Sequence, residues 1–389
     1  MFRRRAVRAQ RWWILAGYGL LIACTQLLWL SYAAITTQAH RAMGVSEGAV
    51  GDLAAIFPLV YVLLALPSGR WLDSRFSTAL SAGALLTGAG ALLRVVAPTT
   101  YAWAFAGQLV IAAGQPLVLN AITKAAARYF PPRERTTAVS VASVAMFVGV
   151  LAAVLSGGPL LDAGGLRLLV RTQACLAVVA AVWVVAVVRA PATYQDDRPV
   201  AVTLGWLKHD RFLWLLGGLL FIGMGEFNAV ATWLESILDH FGRGGAAGYL
   251  IAIMTGAGIA GAAVLPQPIA ARGDRRLFLL TVVCVTAVAF AAIAAEHHAG
   301  FVACILAVEG FVLLAALPVV LDWSELHAGP DRAASAVGFL LLAGNLGGIV
   351  LTLLIQAMIG NSYASLLTLS AVAVCGITLA TRLPVGRVA

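Results

Sequence analysis

Two acids stand inside long apolar runs, where a charge is costly: Glu226 in the run 211–235 and Glu309 in the run 300–324. A carboxylate at membrane depth costs about 2.5–3.5 kcal/mol on insertion scales, so such residues usually line a cavity or meet a partner. Glu226 lies about 24 Å along its helix at 1.5 Å per residue, past the middle and toward the outer side. Gly223 and Gly225 flank it and leave room for a ligand or for local unwinding. Trp29 and Tyr32 are three residues apart and share a helical face, with Gln26 one turn before Trp29. An indole face attracts an ammonium group through its quadrupole, by about 2 kcal/mol when desolvated. Gln115 precedes Pro116, which frees a carbonyl in the preceding turn and makes this amide a cavity candidate. Gln108, two turns earlier on that face, suits an interhelical hydrogen bond. These residue types bind a small polar cation; they do not make a catalytic constellation.

Other chemistry is missing from the sequence. There is no P-loop, HExxH or GxSxG pattern, and no catalytic residue, metal site or cofactor is expected. Gly256, Gly258 and Gly261 spell GxGxxG, but inside an apolar run with no strand before it, which suits close helix packing. Cys24, Cys175, Cys284, Cys304 and Cys375 all lie in apolar runs without CxxC or a nearby His, and read as small core hydrophobes. His297 and His298, beside Glu296, read as a solvated loop.

The elements that must hold these side chains are membrane helices. Of the 389 residues 61% are apolar and 11% charged, where a soluble domain carries about 25% charged; mean hydropathy is +0.93. An ordinary soluble enzyme is excluded. The net charge of +9 does not mark a nucleic-acid binder, because the cations sit in short tufts between apolar runs and only Lys124 and Lys208 are lysines. Twelve runs are long enough to span: 12–37, 48–69, 77–97, 102–128, 137–160, 168–189, 211–235, 246–269, 277–295, 300–324, 334–358 and 362–381. The first, after Arg3, Arg4, Arg5 and Arg8, is too long for a signal peptide and is read as retained. Sorted by loop, 21 cations fall on one side and five (Arg41, Arg94, Arg167, Arg171, Arg243) on the other, which places both termini in the cytoplasm at the cell's inner (plasma) membrane.

The stretch 190–210, with two Pro and a DD pair, reads as a cytoplasmic linker between bundles 1–189 and 211–389. The halves repeat their punctuation at an offset of about 200 residues. Leu66-Pro67 leads to Asp73 and Arg75, as Leu265-Pro266 leads to Asp274, Arg275 and Arg276; Pro132-Arg133-Glu134-Arg135 is echoed by Pro330-Asp331-Arg332. Such marks argue for a duplicated six-helix unit.

Gly69-Arg-Trp-Leu-Asp73-Ser-Arg75 resembles the Gly-x-x-x-Asp-(Arg/Lys) loop signature of the major facilitator superfamily, with Phe76 where the pattern has Gly. The resemblance implies an all-α membrane protein of 12 transmembrane helices in two pseudo-symmetric six-helix bundles, working by alternating access about a midplane site. It also implies a cytoplasmic latch, in which Asp73 caps a helix and pairs with a cation. Asp73, Arg75 and Arg135, with Asp274 and Arg275 in the second half, are assigned to gating. Asp322 and Glu325, at the cytoplasmic end of span ten after Pro318, join them.

A narrower resemblance lies in Gln26-Leu-Leu-Trp29-Leu-Ser-Tyr32, Met43-Gly-Val-Ser46, Gly107-Gln108, Gly114-Gln115-Pro116, Arg128-Tyr-Phe130 and Trp71-Leu-Asp73. Together these look like the feline leukaemia virus subgroup C receptor-related family, transporters of choline and ethanolamine formerly described as haem exporters. The likeness runs through 11–140 and more weakly to about 355. It implies a cation-stacking role for Trp29 and a binding role for Gln115. The family's span-seven aromatic falls on Asn228, and its span-eleven Gln falls on Asn345, so an amide is kept while one aromatic wall is lost. Substrate contact is therefore expected from Trp29, Tyr32, Gln115, Glu226, Asn228 and Asn345. The partners expected are a small-molecule solute and the lipid bilayer, with no nucleic acid and a monomeric state. The alternative is a proton-coupled exporter of drugs or metabolites in which Glu226 is the protonatable group.

Overall fold

The structure is a computed structural model and describes residues 2–191, 194, 203–242 and 244–384. Among these residues fourteen α-helices run in order: α1 (Phe2–Leu30), α2 (Thr36–Met43), α3 (Glu47–Ser74), α4 (Phe76–Val96), α5 (Tyr101–Leu119), α6 (Ile122–Tyr129), α7 (Pro132–Val187), α8 (Arg211–Asp239), α9 (Ala247–Val264), α10 (Pro266–Arg272), α11 (Arg275–Ala295), α12 (Ala299–Ala328), α13 (Ala333–Gln356) and α14 (Ser362–Thr381). No strand occurs among them. The chain forms two compact units, Met1–Leu204 with Gly329–Gly338, and Gly205–Ala328 with Phe339–Ala389. The first turn of α13 thus belongs to the first unit and its remainder to the second. Most of the expected linker 190–210 falls outside the described residues; Gly205–His209 forms a 3₁₀ turn that leads into α8.

Among the described residues eleven helical stretches are long and apolar enough to cross a membrane, where the sequence reading counts twelve. The difference lies in α7, whose 56 residues would measure about 84 Å as one helix, far more than a bilayer core. Its backbone leaves the helix at Gly164 and Gly165, where Gly165 takes φ +65°, a conformation open to glycine at little cost. The expected spans 137–160 and 168–189 lie on either side. They are joined through a glycine break rather than a loop.

Local chemistry starts and stops the helices. The Ser46 hydroxyl accepts from the Ala49 N–H at the head of α3, Asp210 from Leu213 N–H at the head of α8, and Asn361 from Ala364 N–H at the head of α14. Gly44 and Gly273, at φ +66° and +80°, close α2 and α10.

In the first unit α1 packs along α7, and α4 lies against both α5 and α7. Glycines set the closest crossing: a Cβ on Gly90 of α4 would come within 2.6 Å of the Gly107 carbonyl of α5, so neither helix tolerates a side chain there. In the second unit α9 packs along α12 and α11 along α14. Here the GxGxxG pattern finds its use. A Cβ on Gly258 would meet the Gly310 carbonyl at 2.9 Å, and one on Gly261 would collide with the Phe311 carbonyl, whereas Gly256 faces open space.

Large apolar side chains such as Leu63, Leu85, Val182, Val288 and Leu367 are exposed, as a lipid-facing surface requires. That surface corrects the reading of the cysteines. Only Cys24 is buried; Cys175, Cys304 and Cys375 are exposed and Cys284 is half-buried. In a membrane helix an apolar neighbourhood in sequence surrounds lipid-facing and inward-facing positions alike, so it does not place a cysteine in the core.

Candidate functional site

Trp29 sits one residue before the end of α1 and is half-buried. Its indole N–H donates to the Ala54 carbonyl of α3 at 3.0 Å, and its ring lies 6.4 Å from that of Phe57 at an angle of 38°. The hydrogen bond fixes the ring plane while leaving part of the indole accessible. Gln115, in α5, is buried, and its side chain makes no hydrogen bond with a described residue. In contrast, Asn120 is fully engaged, accepting from the Tyr61 hydroxyl at 2.6 Å and donating to the Ala65 carbonyl at 2.8 Å.

Tyr32 lies just beyond α1 and is fully buried, with the guanidinium of Arg94 4.8 Å from its ring centroid. Arg94 donates to the side-chain oxygens of Gln108 at 3.4 Å and Gln173 at 2.7 Å. Gln108 in turn donates to the carbonyls of Leu28 and Leu53, both at 3.2 Å, and so ties α5 to α1 and α3. Arg94 is therefore not the loop cation that counting along the sequence makes it. It belongs to the last turn of α4 and points into the first unit.

The Gly69–Asp73 motif meets the first turn of α13, all within the first unit. Asp73 Oδ1 accepts from Lys124 Nζ at 3.1 Å and from the Ala334 N–H at 3.0 Å; Oδ2 accepts from the Ser335 N–H at 2.8 Å. Lys124 also donates to the carbonyls of Asp73 and Pro330, and Thr123 to that of Ala333. A Cβ on Gly69 would lie 2.7 Å from the Ala334 carbonyl. The four-residue spacing puts the glycine and the acid on one helical face, one giving α13 room and the other capping it. Arg75 is exposed, and its side chain makes no hydrogen bond or ion pair with a described residue. Arg135 donates to the Phe130 and Ala127 carbonyls at the end of α6.

In the second unit Glu226 (α8) and Glu309 (α12) are both buried, within electrostatic reach of one another. Glu226 Oε1 and both oxygens of Glu309 have no hydrogen-bond partner among the described residues. The half-buried side chains of Asn228 and Asn345 each donate back to their own helix, to Met224 and Leu341 carbonyls at 2.8 Å. That leaves their amide oxygens available. The second loop differs from its echo in the first half: Asp274 is exposed and forms no side-chain cap, while Arg275 donates to Asp322 at 2.7 Å. Asp322 and Glu325 are both buried near the end of α12. No group of three metal-ligating side chains occurs among the described residues.

Reading the sequence misses Gln173 and misplaces Arg94. The available signal was a Gln in the apolar run 168–189, seventy-nine positions from an Arg near the end of another run, and nothing in the spacing joins them. Lys124 and Arg128, counted as loop cations, are likewise buried in α6.

Comparison with known proteins places this geometry in context. A family profile described as Major Facilitator Superfamily matches residues 14–352. Solute carrier family 49 member A3 of Danio rerio is 29% identical over 381 residues, which cover 91% of this chain and 80% of that protein. The Choline/ethanolamine transporter FLVCR2 of Homo sapiens is 28% identical over 148 residues, 37% of this chain and 28% of its own. Among solved structures, the human organic anion transporter MFSD10 (TETRAN) matches with a TM-score of 0.77 over 96% of this chain and 99% of that one, at 15% identity, a likeness of fold.

Proposed function

The chain belongs to the Major Facilitator Superfamily, and on that premise we propose that it carries a small organic cation of choline or ethanolamine type across its membrane. Membership makes it a multi-pass secondary transporter of a small-molecule solute. The cation reading rests above all on Trp29, half-buried, with its ring plane fixed by the Ala54 hydrogen bond. An ammonium group stacks on that face. The Gln115 amide, uncommitted to any described residue, bonds the hydroxyl or amine end. Asn228 and Asn345 offer amide oxygens from the second unit, because each spends only its N–H on its own helix. Tyr32, enclosed beneath Arg94, supports the first unit instead of touching solute. The named activity of the human choline/ethanolamine relative supports the same class. Both termini are assigned to the cytoplasmic side of the plasma membrane, and the carrier to a monomer. A thermal-shift screen of the purified protein against amines, amino alcohols and organic anions tests the proposal: amino alcohols should raise the unfolding temperature and organic anions should not.

One observation favours a second reading, a proton-coupled exporter. Glu226 and Glu309 are buried acids with side-chain oxygens that have no hydrogen-bond partner among the described residues, and an acid so placed inside a span is the residue type that relays protons in transporters. On this reading Glu226 and Glu309 carry the coupling ion, while the solute face is unchanged.

A further inference from the structure

Three buried or nearly buried cations meet acids among the described residues. Arg11 pairs with Glu134, Lys124 with Asp73 and Arg275 with Asp322. Arg94 is 1% exposed and is bonded to no carboxylate among the described residues. Its neighbours are neutral: the side-chain oxygens of Gln108 and Gln173 and the ring of Tyr32. A full positive charge taken out of water without a counter-charge is costly, and two amide dipoles and one ring face offset only part of that cost.

Three of these four side chains carry donors that find no acceptor among the described residues. Arg94 Nε–H, the Gln173 amide N–H pair and the Tyr32 hydroxyl are enclosed and have no hydrogen-bond partner among the described residues. Tyr32 is 0% and Gln173 1% exposed. Both are tied to one guanidinium, Gln173 at 2.7 Å from Nη2 and the Tyr32 ring at 4.8 Å from Cζ. The surplus is therefore mainly positive charge and N–H donors round a single guanidinium, beside a phenolic hydroxyl that can donate as well as accept.

We propose that Arg94, Gln173 and Tyr32 form a binding site for a small inorganic monovalent anion of halide type inside the first unit. An anion supplies both missing quantities, a negative charge for the guanidinium and an acceptor for the idle donors. A monovalent ion balances the single charge, whereas a divalent one would leave an excess of the opposite sign. Enclosure favours a bare ion over an organic acid. Bound there, it holds the end of α4 against α7 and the chain that follows α1. This site is independent of the solute assigned above.

The test uses the full-length protein in detergent, unfolded thermally in sodium gluconate and in sodium chloride, bromide, nitrate or benzoate at equal ionic strength. Halide should raise the unfolding temperature saturably, by about 2–4 °C at saturation. Arg94→Gln should abolish that response. Gln173→Glu places a carboxylate beside the guanidinium, so it should raise the unfolding temperature in gluconate and remove the halide dependence. The proposal is overturned if the wild type unfolds at one temperature in all five salts. It is equally overturned if both variants keep the full halide shift, or if benzoate acts and halide does not.

Discussion

The carboxylate of Asp73 and the backbone N–H of Ser335, 262 residues apart in the chain, meet at 2.8 Å. With the Ala334 N–H at 3.0 Å, this gives the start of α13 an anion at the positive end of its dipole. Lys124 donates to the same carboxylate, at Oδ1. The first turn of α13 is thus held by two bonds to one side chain, which Lys124 of α6 also engages. Removing that hold should therefore affect the transport cycle more than solute binding.

Asp73→Asn removes the charge and exchanges one acceptor for a donor, leaving Lys124 buried without its counter-charge. Breaking a buried pair from one side costs about 3–5 kcal/mol, so the variant should unfold at a lower temperature. Its transport should slow, while equilibrium binding of solute stays within about twofold of wild type. Flux and binding measured on one preparation decide the matter; a loss of affinity matching the loss of flux would contradict the assignment.

Glu226→Gln and Glu309→Gln keep shape and remove one carboxylate each. In the facilitated-cation reading both variants retain downhill flux at high solute and are indifferent to an imposed pH gradient. In the proton-coupled reading, either substitution abolishes uphill transport driven by that gradient but preserves solute exchange at equal pH. Proteoliposomes with and without the gradient separate the two.

Helix packing predicts an ordered response along the glycines of α9. Gly261→Ala forces a Cβ onto the Phe311 carbonyl and should cost about 1–3 kcal/mol. Gly256→Ala, facing open space, should be neutral or stabilising by up to about 1 kcal/mol through helix propensity. Thermal unfolding of the two variants checks the order, and equal destabilisation would undo it.

Much of the architecture is legible in the sequence because the bilayer fixes span length and hydropathy together. The apolar runs give the helices, and the Gly69-to-Asp73 spacing gives a face directed at a neighbour. What could not be read is which way a polar residue within a span points. Arg94 looks like a loop cation because it lies two residues from the end of α4, yet its long side chain reaches inward to Gln108 and Gln173. The two halves share a loop pattern, but Asp73 finds a helix start and Asp274 does not, a distinction set by tertiary neighbours alone. The break at Gly164–Gly165 was invisible as a join, since hydropathy marks spans and not how tightly they are connected.

The central claim, an organic cation stacked on Trp29, is tested most directly by uptake of labelled choline and ethanolamine into proteoliposomes holding wild type, Trp29→Phe or Trp29→Ala. Wild type should show saturable uptake above protein-free vesicles. Trp29→Ala should lose about 1–2 kcal/mol of cation–π attraction, roughly 5–30-fold in apparent affinity, with Trp29→Phe between the two. Saturable uptake of equal affinity in all three proteins, or no uptake of either amine by wild type, would contradict it.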